Sequence, residues 1–61
     1  MRPQEFIRIL LKAGFFQVRQ EGSHIRFRHP DRDRDIIVPY HAGQELSKGL
    51  LHRLKKDAGL K

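Results

Sequence analysis

Between residues 16 and 29 the chain alternates in polarity twice, and only a glycine and a serine separate the two runs. Phe16-Gln17-Val18-Arg19-Gln20-Glu21 leads into Gly22-Ser23, and His24-Ile25-Arg26-Phe27-Arg28-His29 follows. Period-two alternation marks a strand with one face buried. A Gly-X pair between two such runs predicts a β-hairpin with a type II′ turn. A two-residue loop also sets the register. Glu21 falls opposite His24, Arg19 opposite Arg26 and Gln17 opposite Arg28, while the other face pairs Gln20 with Ile25 and Val18 with Phe27. A slip of one residue would bury the arginines, which selects this register. One face is then free to meet a core, and the other carries Arg19, Glu21, His24, Arg26 and Arg28.

The flanking segments supply that core. From Pro3 to Ala13, the residues Phe6, Ile7, Ile9, Leu10, Leu11 and Ala13 recur at spacings of three and four, as on a helix with a broad apolar face. Pro3 suits a first helical position. Gly14 suits the C′ place, with Phe15 closing back on Leu10. Near the other end, Ser47 is placed as an N-cap, and Leu46 and Leu51 as a hydrophobic staple. Leu50, Leu51, Leu54 and Ala58 form the stripe, and Gly59-Leu60 the stop. A third strand, Asp35-Ile36-Ile37-Val38, follows the polar turn Pro30-Asp31-Arg32-Asp33. With that turn as the loop, Ile36 and Val38 join the core face and Asp35 sits opposite Arg28. The order is α-β-β-β-α, an α+β fold with both helices on one face of a three-stranded antiparallel sheet.

Sixty-one residues leave room for one small domain, 1–61, with a thin core. The chain has no cysteine, which removes disulfides, thiolate metal sites and thiol nucleophiles. No apolar run approaches the roughly 18–20 residues of a membrane span, and no signal-peptide apolar region follows Met1-Arg2-Pro3-Gln4-Glu5. These features predict a cytoplasmic protein with no membrane partner. Thirteen Lys and Arg against seven Asp and Glu give a formal charge of +6, a balance suited to nucleic acid or another polyanion. The four histidines have no HxH, HExxH or comparable spacing. No metal site and no cofactor are expected, and no P-loop, GxSxG or dinucleotide fingerprint occurs.

An imidazole among guanidiniums suits phosphodiester chemistry on RNA. The 2′-hydroxyl must lose a proton to attack phosphorus and the departing 5′-oxygen must gain one; histidine can do either near neutral pH. Arginine forks stabilise the charge that develops on the phosphorane oxygens. On this reading His24 is the acid/base group, Arg26 and Arg28 are phosphate contacts, and Glu21 across the strand orients the ring. Arg19 and Ser23 belong to the same surface, and His41, in the loop after the third strand, is placed to approach it. Tyr40 either stacks on an unpaired base or caps the edge of the core. Lys48, Lys55, Lys56 and Lys61 are either phosphate contacts or the solvated side of the second helix. Gly49 near that helix's start either admits a phosphate or is simply tolerated there. His29, on the opposite parity, reads as structural, and His52 as solvent-facing. The same surface also fits a non-catalytic module that grips an RNA duplex by shape, or a face that docks an acidic protein.

The ordered run Ile9-Leu10-Leu11-Lys12-Ala13-Gly14-Phe15, Val18-Arg19-Gln20-Glu21-Gly22-Ser23-His24, Phe27-Arg28-His29-Pro30, Val38-Pro39-Tyr40-His41 and Glu45-Leu46 through Leu60 resembles the HicA toxins over nearly the whole chain. The resemblance implies a double-stranded-RNA-binding-domain-like fold and an mRNA interferase, a toxin ribonuclease neutralised by a HicB antitoxin. The proposed catalytic histidine of the family's Gly-Ser-His motif falls on His24. Many members carry a second histidine directly after it, where this chain has Ile25, a position the hairpin register turns toward the core.

Overall fold

Both helices start and stop where their capping chemistry dictates in the computed structural model, which describes residues 1–60. Helix α1 (Pro3–Lys12) opens with Pro3 at its first position, and Glu5 Oε1 accepts the Arg2 backbone N–H at 3.0 Å. Its end is a Schellman motif. Gly14 takes φ +97°, while Gly14 N donates to Leu11 O at 3.1 Å and Phe15 N to Leu10 O at 3.0 Å. Helix α2 (Lys48–Asp57) is capped by Ser47, whose Oγ accepts from Leu50 N at 3.2 Å. It closes the same way, with Gly59 N donating to Lys56 O at 3.1 Å and Leu60 N to Lys55 O at 2.8 Å. Arg32, from the loop before the third strand, adds a donor to Asp57 O at 3.1 Å, a cation at the negative end of the helix dipole. Lys61 lies outside the described residues.

Strands β1 (Phe16–Glu21), β2 (His24–Arg28) and β3 (Ile36–Pro39) form an antiparallel sheet in the order β1-β2-β3. The fold is the expected α-β-β-β-α arrangement. Gly22 has φ +58° and Ser23 does not have positive φ, as a type II′ turn requires, whereas a type I′ turn needs positive φ at both positions. The core comprises Phe6 and Leu10 of α1, Phe15, Ile25 and Phe27 of β2, Ile36 and Val38 of β3, Leu46, and Leu54 and Ala58 at α2. Pairing of β2 with β3 sets Ile25 beside Val38 and Phe27 beside Ile36. Both helices pack over this side of the sheet and against β3.

The hairpin departs from the expected register in one place. Next to the turn, Glu21 pairs with His24, Gln20 with Ile25 and Arg19 with Arg26 as anticipated. Beyond Arg19 the pairing shifts, so that Gln17 faces Phe27 and Phe16 faces Arg28. The expected pairs Gln17–Arg28 and Val18–Phe27 do not form. Val18 is the extra residue of a β-bulge, 36% exposed and outside the core. The physical reason lies in the position of β1, an edge strand whose six residues are all exposed. With little to bury there, alternation does not penalise a bulge, which absorbs the strand's twist. Leu11 and Ala13 also lie outside the core, Leu11 at 51% exposure, so the apolar face of α1 is narrower than expected.

Phe27 and Val18 therefore separate in a denaturation experiment. Phe27→Ala should cost about 3–5 kcal/mol and remove most of the stability of a chain this small. Val18→Ala should shift it by no more than about 0.5 kcal/mol, as for an exposed site. Urea unfolding of the two variants checks this, and a Val18→Ala loss above about 2 kcal/mol would return Val18 to the core.

Candidate active site

The face of the sheet turned away from the helices is set by β2. Because Ile25 and Phe27 are buried, His24, Arg26 and Arg28 project to the other side. The cross-strand pairs then assemble a surface in rows: Glu21, His24 and Pro39 at the turn end, Arg19, Arg26 and Ile37 in the middle, and Phe16 with Arg28 at the far end. Arg19, Glu21, His24, Arg26 and Ile37 line an open cleft of about 190 Å³. His24 is exposed at its rim, beside the Gly22-Ser23 turn. That turn is tied to the chain beyond β3 by the Tyr40 N–H, which donates to Ser23 O at 2.6 Å.

Asp35 dominates the far end. Arg28 donates from Nε to Asp35 Oδ1 and from Nη2 to Oδ2, both at 3.0 Å, and Arg26 donates from Nη1 to Oδ2 at 2.9 Å. The Asp35 side chain is only 13% exposed. The hydrogen bonds from Arg28 and then Arg26, reinforced by their charges, hold its carboxyl down from 3.8 to about 2, against the opposing effect of desolvation. The Arg28 guanidinium is raised in turn by its hydrogen bond to Asp35. The expected juxtaposition of Asp35 and Arg28 is present. The engagement of Arg26 by the same carboxylate was not anticipated, although the register contains it. With Arg26 opposite Ile37, Asp35 is Arg26's diagonal neighbour, within reach of a long side chain.

Other expected site residues fall in different places. Glu21 lies opposite His24 but does not orient its ring; its carboxylate meets Arg19 Nε at 2.7 Å. Arg19 projects from the same face two residues away, and a permanent cation is the stronger partner for a carboxylate. His41 lines a separate cleft with Pro3, Gln44, Ser47 and Leu50 near the start of α2, not the cleft at His24. Tyr40 is half-buried and packs against the core. Lys48 is exposed in the first turn of α2, and a Cβ at Gly49 would meet nothing within 4 Å. His29 is structural: Asp31 N donates to its Nδ1 at 3.0 Å, so Nε2 carries the proton toward Ala13 O at 3.1 Å. Its ring also meets Phe15 edge-on at 5.0 Å. His52 is exposed on α2.

The charge is distributed differently from the sequence expectation. Glu21 and Asp35 stand among Arg19, Arg26 and Arg28, so the open face is much nearer balance than the whole chain at +6. Most of the excess lies elsewhere, including Arg8 and Lys12 on α1 and Lys48, Lys55 and Lys56 on α2. Among the described residues no helix is long and apolar enough to cross a membrane.

The element order is α-β-β-β-α, the order of a double-stranded-RNA-binding-domain-like α+β fold, with a histidine–arginine cleft on the uncovered sheet face. A family model described as the HicA toxin of bacterial toxin–antitoxin systems matches residues 3–60. The chain belongs to the HicA toxin family, whose members are generally ribonuclease toxins. No curated protein matches it at a significant level.

The low Asp35 pKa has a direct consequence for acid stability. A carboxyl whose folded pKa lies below its unfolded one contributes stability in full above the unfolded value, and loses it as pH falls through the folded value. Here that window runs from about pH 4–5 down to about 2. The stability of Asp35→Asn should change less with pH across this window than that of the parent chain. Following the Asp35 carboxyl carbon by NMR gives the midpoint directly: a value near 2 is expected, and an unshifted midpoint would break the account of the clamp.

Proposed function

We propose that this chain is an endoribonuclease toxin that cleaves mRNA, with His24 as its proton-transfer group. The observation that carries this reading is the placement of His24 beside Arg19 and Arg26 at an open cleft, in a chain of the HicA toxin family. Single-stranded mRNA lies over the uncovered sheet face with a phosphate near the arginines. As O2′ bonds to phosphorus and the P–O5′ bond breaks, neutral His24 accepts the 2′-hydroxyl proton, while the leaving 5′-oxygen takes one from water. In the reverse assignment, protonated His24 gives its proton to the leaving 5′-oxygen while water takes the 2′-hydroxyl proton. Guanidinium donors meet the negative charge that grows on the phosphorane. Either assignment needs only proton transfer and charge stabilisation, so the reaction is proposed to run without a metal or cofactor.

A HicB-type antitoxin is the proposed protein partner, acting by covering or distorting this face. Residues 1–61 act on this reading as one HicA-like domain in the cytoplasm, where mRNA is found. Ser23, Arg28, Tyr40, His41 and Lys48 are proposed RNA contacts around the cleft and along the approach to α2. Of these, Arg28 has the most direct support, through its place on the open face. The second reading is a non-catalytic module that grips duplex RNA by shape; against it, only Lys48 is basic at the start of α2, while Lys55 and Lys56 lie in its last turn. Tight duplex binding without strand scission would be its signature.

His24→Ala is expected to reduce RNA cleavage by about 10²-fold or more and to abolish growth arrest, with an unchanged thermal midpoint. Activity of the parent chain should persist in EDTA. A folded His24→Ala chain that still cleaves at the parental rate would overturn the assignment.

A further inference from the structure

We propose that Asp35 is a positioning residue that turns Arg26 and Arg28 into a preformed site for one phosphodiester group of single-stranded RNA. The proposal rests on the ribonuclease reading for its ligand and on the sheet geometry for its site. Asp35 Oδ2 accepts from both Arg26 Nη1 and Arg28 Nη2, so one oxygen spans the two guanidiniums. Oδ1 accepts Arg28 Nε and completes a fork that fixes the plane of that side chain. The clamp leaves donors unused: Nη1 of Arg28, and Nε and Nη2 of Arg26, have no hydrogen-bond partner among the described residues. The arginine side chains remain open to solvent, at 36% and 51% exposure, while the carboxylate between them is mostly covered, at 13%. An incoming anion therefore meets N–H groups before it meets the carboxylate.

The electrostatics match the ligand. Two guanidiniums and one carboxylate sum to a single positive charge, which one phosphodiester neutralises. Two unrestrained arginines would carry more charge, but each would have to be ordered by the ligand at an entropic cost. Asp35 has already done that ordering from its place immediately before β3, whose Ile36 and Val38 are anchored in the core. The cluster reaches from Arg26, in the row with Ile37, out to Arg28, and Arg26 also lines the His24 cleft on the same face. A chain of RNA held at this phosphate runs along the sheet toward His24.

Charge and geometry make opposite predictions for Asp35→Asn, which is what makes the inference testable. Removing a negative charge alone should tighten binding of a polyanion. Losing the clamp should weaken it. The full chain, Asp35→Asn and Asp35→Asn in an Arg26→Gln/Arg28→Gln background are titrated with a 2′-O-methyl oligoribonucleotide, which lacks the attacking hydroxyl, at one fixed salt concentration. Asp35→Asn is expected to raise Kd by about tenfold, and to cause no such loss once both arginines are gone. Unchanged or tighter binding by folded Asp35→Asn overturns the proposal. The parent chain supplies a second measurement that needs no variant. Its Arg26 and Arg28 side-chain N–H resonances should show restricted guanidinium rotation and shift on addition of inorganic phosphate; freely rotating, unresponsive signals overturn the proposal. Asp35-dependent binding without cleavage of ordinary RNA supports the site and contradicts the ribonuclease reading. Cleavage with Asp35-independent binding does the reverse.

Discussion

Phe27 is fully buried in the middle strand of the sheet, and the surface on the far side depends on that burial. A strand residue that goes inward sends its neighbours outward, so Ile25 and Phe27 fix His24, Arg26 and Arg28 to one open face as firmly as the core is fixed. The helices contribute from behind. Phe6, Leu10, Leu54 and Ala58 close the core over β2 and β3, which leaves the opposite face of the sheet uncovered. A chain of 61 residues has little other scaffold on which to hold a site rigidly.

Much of this was legible because the local signals are strong and mutually consistent. Pro3, Gly14, Ser47 and Gly59 each carry a specific backbone role, and all four fill it. Gly22 fixes the turn, and the turn fixes the register beside it. The reading failed at Val18 and Leu11, where the residue is apolar but nothing covers it. Alternation reports which side chains would profit from burial, not whether a helix is present to bury them. Along β1, at the edge of the sheet, the bulge could form without loss of core contacts.

The chemistry of the open face was legible in identity and less so in interaction. Composition suggested a phosphate-binding surface with excess positive charge, but the cross-strand ladder interleaves that charge with Glu21 and Asp35. The result is a set of oriented arginines with modest net charge, and a stronger positive field on the helices. On the proposed reading, long-range attraction of a polyanion and short-range recognition of its phosphates fall to different parts of the molecule. The first depends on net charge and falls with salt; the second depends on guanidinium geometry. Glu21 illustrates why pairing does not predict partnership: it lies opposite His24, yet it satisfies itself with Arg19 on its own strand.

The central claim is that this open face catalyses attack of a ribose 2′-hydroxyl on the adjacent phosphate, and the chemistry of the cut ends tests it most directly. Mass spectrometry of oligoribonucleotide fragments produced by the purified chain should find 5′-hydroxyl ends and 2′,3′-cyclic phosphates. Fragments with 5′-phosphate and 3′-hydroxyl ends would show that water attacks phosphorus, and would contradict the account.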